Sequence, residues 1–304
     1  MKCLCGILAI AVVMGESSSV LAQGERARIP ENVVVHRDLA YVRSGHERQL
    51  LDLYLPQTKE GPLPVVVWVH GGAWLAGSKQ DMRPVLPLLR QGYAVASVGY
   101  RLSHHAIFPA QIEDCKTAIR FLRAHAKMYH LNPERIGVAG ASAGGHLVAL
   151  LGTAGDVKEW DEQGDYRDQS SRVQAVLDLF GPTDFTKMGG SHDRKNAPEA
   201  KLIGGPVQEN REKAARANPI TYITRDDPPF LIVHGEADSV VPINQSELLA
   251  SALKAAGVEV DFIRLPGAGH GGGAFQSEET RQRIESFFEK HLKSAPEPVK
   301  TLVK

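Results

Sequence analysis

The sequence predicts an α/β fold: a mostly parallel central sheet of about eight strands, flanked by helices and opened by an antiparallel hairpin. Three observations carry this. Apolar, β-branched runs alternate with helical patterns along the chain, as in strands joined by crossover helices. Most of those runs are continuous rather than alternating, so their strands should be buried on both faces. The first two runs are split by Ser44-Gly45-His46-Glu47, which reads as a hairpin turn.

Taken in order, the hairpin strands are expected at about Val33–Val42 and Leu50–Leu55. Val65–Val69, Ala94–Val98, Ile136–Ala139, Ala175–Phe180 and Phe230–Val233 supply the buried strands, and Val258–Leu265 supplies the last one, after Gly257. Ala110–Met128 carries Ile112, Cys115, Ala118, Ile119 and Leu122, an i, i+3, i+4 stripe that predicts a helix. Leu147–Leu151 reads as a helix running away from a strand, and Gln245–Ala256 and Glu279–His291 fit the last two crossovers. Gly155–Ser171 and Gly181–Asn218 are polar and irregular; segments this long inside a compact domain are usually functional or mobile, and the second falls where a lid or substrate loop would sit.

The chain has 304 residues, enough for one large domain, and its 43% apolar and 23% charged content is that of an ordinary globular protein. Its 35 basic residues balance 35 acidic ones, so nothing electrostatic points to a nucleic acid or an anionic membrane, and an uncharged or apolar substrate fits better. The first 22 residues differ from the rest: Lys2, the apolar run Leu4–Met14, then Val20-Leu21-Ala22. A basic start, a short apolar stretch and a small-residue cleavage site predict export with cleavage after Ala22. The run is too short to span a bilayer, which takes about 20 residues, so stable membrane insertion is not expected. A lipoprotein is disfavoured because Cys3 and Cys5 stand at the start of the run rather than after it. The expected organisation is a leader over 1–22 and one domain over 23–304, with 294–304 as a frayed tail. The mature chain then keeps only Cys115, which cannot form an internal disulfide and reads as a buried structural thiol.

Gly140-Ala141-Ser142-Ala143-Gly144 is a G-x-S-x-G sequence set between a strand and a helical run. That context predicts a nucleophile elbow, a tight turn that holds Ser142 in a strained conformation. Gly140 and Gly144 leave room where a Cβ would collide, and the next helix aims its N-terminal dipole at developing negative charge. His70-Gly71-Gly72-Ala73-Trp74, right after a buried strand, matches the segment that supplies oxyanion-hole amides in lipases and esterases. With the amide of Ala143, those of Gly71 and Gly72 are the candidate donors. His70 reads as a loop brace rather than a proton carrier. An acid and then a histidine should follow Ser142 at strand ends. Asp238, in His234-Gly235-Glu236-Ala237-Asp238, and His270, in Gly267-Ala268-Gly269-His270-Gly271, meet that order; Glu236 and Asp184 are fallback acids.

On these motifs (HGGAW at 70–74, GASAGGH at 140–146, HGEADSVVP at 234–242 and GAGHG at 267–271) the chain resembles the α/β-hydrolase superfamily over essentially all of residues 30–292. More narrowly, it is similar to the bacterial esterase/lipase group that includes feruloyl-esterase-like and acetyl-xylan-esterase-like enzymes. The resemblance implies a Ser142–His270–Asp238 triad, an oxyanion hole from Gly71, Gly72 and Ala143, acyl transfer without a cofactor, and a small-molecule or polysaccharide-linked ester as substrate. Position 73 is Ala where HGGG-type lipases have a third Gly, and a small residue still permits the loop.

Other chemistries fit less well. The 12 histidines form no H-E-x-x-H or Cys/His cluster, so no metal site is expected, and His104-His105 reads as a surface or cleft-rim loop. The glycines at 140–145 lack the Lys-Ser/Thr ending of a phosphate-binding loop. A serine peptidase of the same fold would normally carry a large extra domain, and a binding protein on the fold would be expected to have lost a triad member. The pocket should be shaped by loops 99–109 and 181–218. Trp74, Tyr100, Phe108 and Phe185 are candidates to line it or to pack beneath it. The sequence does not specify the oligomeric state.

Overall fold

The structure, a computed structural model, describes residues 29–57 and 61–293. The leader and cleavage point read at 1–22 and the tail at 294–304 lie outside the described residues.

Eight strands form one sheet in the order β1-β2-β4-β3-β5-β6-β7-β8. They are β1 (Val33–Ala40), β2 (Leu50–Pro56), β3 (Leu63–Val69), β4 (Ala94–Val98), β5 (Leu131–Ala141), β6 (Ala175–Leu179), β7 (Phe230–Gly235) and β8 (Val260–Leu265). β1 pairs antiparallel with β2 and β2 antiparallel with β4; every later pairing is parallel. The expected hairpin and parallel sheet are therefore both present. β3, β4, β6 and β7 are buried along almost their whole length, which is why their sequences show no alternation.

The helices are α1 (Ala110–Ala124), α2 (Ala143–Thr153), α3 (Pro198–Ile203), α4 (Arg211–Ala217), α5 (Asn244–Ala256) and α6 (Glu278–Phe288). One sheet face packs against α1, α2 and α5 through residues such as Ile112, Ile119, Leu147, Leu150 and Leu249. The other is covered by α6 and a 3-10 segment, Arg83–Gln91, through Val85, Leu88, Ile284 and Phe288.

Several boundaries differ from the sequence reading. α1 ends at Ala124 rather than Met128, because His125 leaves the helical conformation (φ −101°, ψ 12°). β8 begins at Val260, after Gly257 closes α5 in the left-handed conformation. The segment read as irregular over 181–218 contains α3, α4 and three short 3-10 turns. Its helices are only 6 and 7 residues long and are held by burial of Leu202, Ile203, Ala214 and Ala217, a tertiary effect that leaves little periodicity in sequence. Residues 155–171 do run mostly without regular structure, tied to α1 by Asp161, which bonds Lys116 and Arg120 at 2.8 Å each.

Candidate active site

The carboxyl ends of β3, β5, β6, β7 and β8 converge on one edge of the sheet, the position where open α/β sheets place their sites. Ser142 sits in the turn between β5 and α2 with φ 56° and ψ −121°, a sparsely populated conformation for a residue with a side chain. The turn closes because its flanks have no side chains: a Cβ on Gly140 would lie 2.3 Å from Gly144 O, and one on Gly144 would lie 2.1 Å from Val69 O. The Ser142 amide donates to Leu179 O at 2.9 Å, pinning the elbow to β6. This leaves Ala143 at the first position of α2, where its N–H has no intrahelical acceptor.

His270 reaches the elbow across 128 residues of sequence; its Nε2 is 3.0 Å from Ser142 Oγ and its Nδ1 is 2.7 Å from Asp238 Oδ2. An ionised carboxylate only accepts, so Nδ1 carries the proton and Nε2 is free to accept from the serine hydroxyl. Gly235 makes this approach possible: a Cβ there would meet Ala268 O at 2.3 Å and Gly269 O at 2.5 Å. The main chain before His270 therefore lies directly on the end of β7, with the Ala237 amide donating to Ala268 O.

The Asp238 side chain is fully buried. Burial works against its charge, but hydrogen bonds from His234, His270 and the amides of Val241 and Val240 hold its carboxyl well below the usual carboxylate range. The two amides occupy Oδ1 at 2.8 and 2.9 Å, which turns Oδ2 toward His270. The fallback acids lie elsewhere. Glu236 pairs with Arg264 at 2.9 Å on the surface, and Asp184 caps a turn through Thr186 and pairs with Lys187.

The HGGAW loop is braced from below. His70 is fully buried, its Nδ1 lies 2.7 Å from Gly71 O and its Nε2 lies 3.3 Å from Arg48 Nη2. The carbonyl fixes the proton on Nδ1, and burial pushes the imidazole pKa down to about 4, so the ring is neutral. Tyr100 stacks on it at 4.3 Å, and its hydroxyl donates to His70 O at 2.9 Å. Gly71 lies over the elbow: a Cβ there would lie 3.4 Å from Ser142 Cβ. The structure thus sets Gly71 against the turn that carries Ser142 and Ala143, while Gly72 lies against the backbone of Ala76 and Gly77.

Trp74, Tyr100 and Phe185 are buried in the core, and Phe108 is 9% exposed. Trp74 packs edge-on against His146 and Phe185, and Phe108 packs against Trp160. A cavity of about 680 Å³ lies on the other side of the elbow, between the 3-10 segment and α6. Leu86, Ala141, Phe180, Gly271, Phe275 and Ile284 are among its walls, and neither Ser142 nor His270 lines it. Phe180 lies between that cavity and His270: its ring is 4.6 Å from that of His270, and its backbone is left-handed at φ 46°. No sequence signal marked Phe180. Arg48 was equally hidden, since its partners lie far away in sequence, whereas His234 stands in the HGEADSVVP motif without a role that the motif assigns.

Among the described residues, no group of three or more His, Cys, Asp or Glu side chains is arranged to hold a metal ion. His104 and His105 are exposed, as a rim loop would be, with their rings 4.0 Å apart. Among the described residues, no helix is long and apolar enough to cross a membrane.

Comparison with known proteins agrees with this architecture. The family model BD-FAE matches residues 51–253, and that of the dienelactone hydrolase family matches residues 214–299. Esterase LipC of Mycobacterium tuberculosis is 36% identical over 238 residues, which is 73% of this chain and 57% of LipC. The chain therefore spans little more than half the length of that curated relative. Among solved structures, a bifunctional GH43-CE protein of Bacteroides eggerthii is 42% identical with a TM-score of 0.80, over 84% of this chain and 35% of that one. A truncated carbohydrate esterase from gut microbiota is 35% identical with a TM-score of 0.80, over 84% of this chain and 95% of that one. With the BD-FAE match running through most of the sheet and the elbow, the chain belongs to the BD-FAE family and has the α/β-hydrolase fold.

Proposed function

We propose that the chain is an exported carboxylic ester hydrolase that works through a Ser142–His270–Asp238 triad. The observation that carries this reading is the hydrogen-bonded relay, 2.7 Å from Asp238 to His270 and 3.0 Å from His270 to Ser142, ending on a strained serine. In the first half-reaction His270 Nε2 takes the hydroxyl proton as Ser142 Oγ attacks the ester carbonyl carbon. The carbonyl oxygen becomes an oxyanion beside the amides of Gly71, Gly72 and Ala143, where each donor contributes about 3–4 kcal/mol. The C–O bond then breaks, the alcohol leaves with the proton held by His270, and an acyl-serine remains. Water enters, gives its proton to His270, attacks the acyl carbon and releases the acid, returning the proton to Ser142. Asp238 stays ionised throughout and stabilises the imidazolium.

The substrates we assign are esters borne by carbohydrate, with acetyl or feruloyl groups on plant polysaccharide as the candidates. Support comes from the gut carbohydrate esterase, which shares most of its length with this chain. The leader pattern at residues 1–22 supports export. The test is turnover of p-nitrophenyl acyl esters, acetylated xylan and methyl ferulate by wild type and Ser142→Ala. Turnover that vanishes in the variant is expected, and the best substrate names the acyl and alcohol classes. Failure of wild type on every ester, with cleavage of peptide or amide substrates instead, would overturn the reading.

A further inference from the structure

We propose that His234 is a positioning residue that fixes the orientation and charge of Asp238 and, through it, sets the basicity of His270. The inference rests on the triad reading above. His234 lies on β7, four residues before Asp238, and is fully buried. Its Nε2 is 2.9 Å from Val241 O and 3.3 Å from Asp238 Oδ2, while its Nδ1 is 2.7 Å from Ser246 Oγ on α5. Val241 O only accepts, so the proton is on Nε2 and is shared with Asp238; Nδ1 then accepts from the Ser246 hydroxyl. The ring is therefore locked at both nitrogens, with one donor permanently facing the oxygen that also serves His270.

This places two imidazoles on one carboxylate oxygen with different roles. His270 is partly exposed and faces the serine, while His234 is sealed beneath the loop and has no path to substrate. The His234 donor draws electron density from Oδ2 and so weakens the pull of Asp238 on the His270 Nδ1 proton. The charged and titratable groups facing this pair are Asp238 and His270 from the loops, and Asp178 from β6, whose carboxyl interacts with His234 electrostatically. The ring of Phe180 closes the space between them, 6.4 Å from His234 and 4.6 Å from His270.

The experiment compares pH profiles of kcat and kcat/KM for wild type, His234→Ala, His234→Gln and Ser246→Ala, using p-nitrophenyl acetate. His234→Ala is expected to lower kcat about tenfold with KM held within about twofold. Asp238, with one donor fewer, then stabilises the His270 imidazolium more strongly. The acidic limb should therefore move up by about half a pH unit. His234→Gln can place its amide nitrogen where Nε2 stands, and should bring both rate and limb most of the way back. Ser246→Ala keeps the ring but frees it, and a smaller shift in the same direction is expected; it carries the test if His234→Ala does not fold. A fall in amplitude with the limb unmoved would mean that His234 only supports the fold, and would overturn the proposal. So would a limb shift that disappears in an Asp178→Asn background, which would assign the effect to that carboxyl. Ser142→Ala is run alongside: activity that survives it sinks the triad reading itself, whereas activity lost there with unmoved limbs in the His234 variants sinks only this inference.

Discussion

Replacing Asp238 by Asn should disable the proposed Ser142–His270–Asp238 triad while leaving its geometry almost intact. The carboxylate accepts from four donors: the Val240 and Val241 amides on Oδ1 at 2.8 and 2.9 Å, and His270 Nδ1 and His234 Nε2 on Oδ2 at 2.7 and 3.3 Å. An asparagine keeps the backbone amides satisfied only by placing its carbonyl on the Oδ1 side. Its NH₂ then faces the two imidazole N–H groups, donor against donor. His270 can relieve this by moving its proton from Nδ1 to Nε2, which now donates to Ser142 Oγ across 3.0 Å and can no longer accept from it. In a serine triad this wrong tautomer costs about four orders of magnitude in kcat. At 1.36 kcal/mol per decade that is roughly 5.5 kcal/mol of barrier. The assay is initial-rate hydrolysis of p-nitrophenyl acetate from pH 5 to 10, with circular dichroism to confirm a folded protein. A folded variant that loses less than about thirtyfold would refute the argument, because the proton on Nδ1 could not then be what makes Nε2 a base.

Three further outcomes follow from the packing. Gly144→Ala drives a Cβ to 2.1 Å from Val69 O, a backbone atom that cannot yield; a loss of about 3 kcal/mol or more is expected, read as a fall of about 6–12 °C in Tm together with lost activity. Asp161→Asn removes the one anion that bonds both Lys116 and Arg120, whose side chains are fully buried; urea titration should show about 3 kcal/mol lost, since two buried cations are left without their partner. Asp178 is fully buried, and burial pushes its pKa up to about 6 from 3.8. A raised acid pKa means that the folded state keeps the proton to higher pH than the unfolded chain does. Wild type therefore loses stability as pH rises from about 4 to about 6, and Asp178→Asn should not. Denaturation across that range should show the variant gaining up to about 3 kcal/mol relative to wild type by pH 7 and nothing below pH 4; a difference independent of pH would show that Asp178 titrates normally.

The sheet was readable because its central strands are buried on both faces, so Val65–Val69 and Phe230–Val233 are written as unbroken apolar runs. The elbow was readable for a steric reason: only glycine tolerates 2.3 and 2.1 Å contacts at positions 140 and 144, which leaves a visible spacing around Ser142. The short helices α3 and α4 were not readable, because burial against their neighbours rather than local periodicity holds them. The strand β5 begins at Leu131, well before the apolar run at Ile136, since Asn132-Pro133-Glu134 resembles a turn. The 3-10 segment over 83–91, with Pro87 inside it, has no repeating pattern that would announce a covering element.

What the sequence alone determined is the fold class, the elbow at Ser142 and the order of acid and histidine behind it. Each of these depends on a local steric or apolar requirement that a few adjacent residues must satisfy. Only the tertiary structure decided which acid meets His270, because Glu236 and Asp238 are two residues apart and differ in which way the loop after β7 turns them. It also decided where the open space lies and which buried groups hold the reacting ones. Arg48 under the HGGAW loop and Phe180 against His270 act across pairings of strands and loops, and distance along the chain carries no record of those contacts.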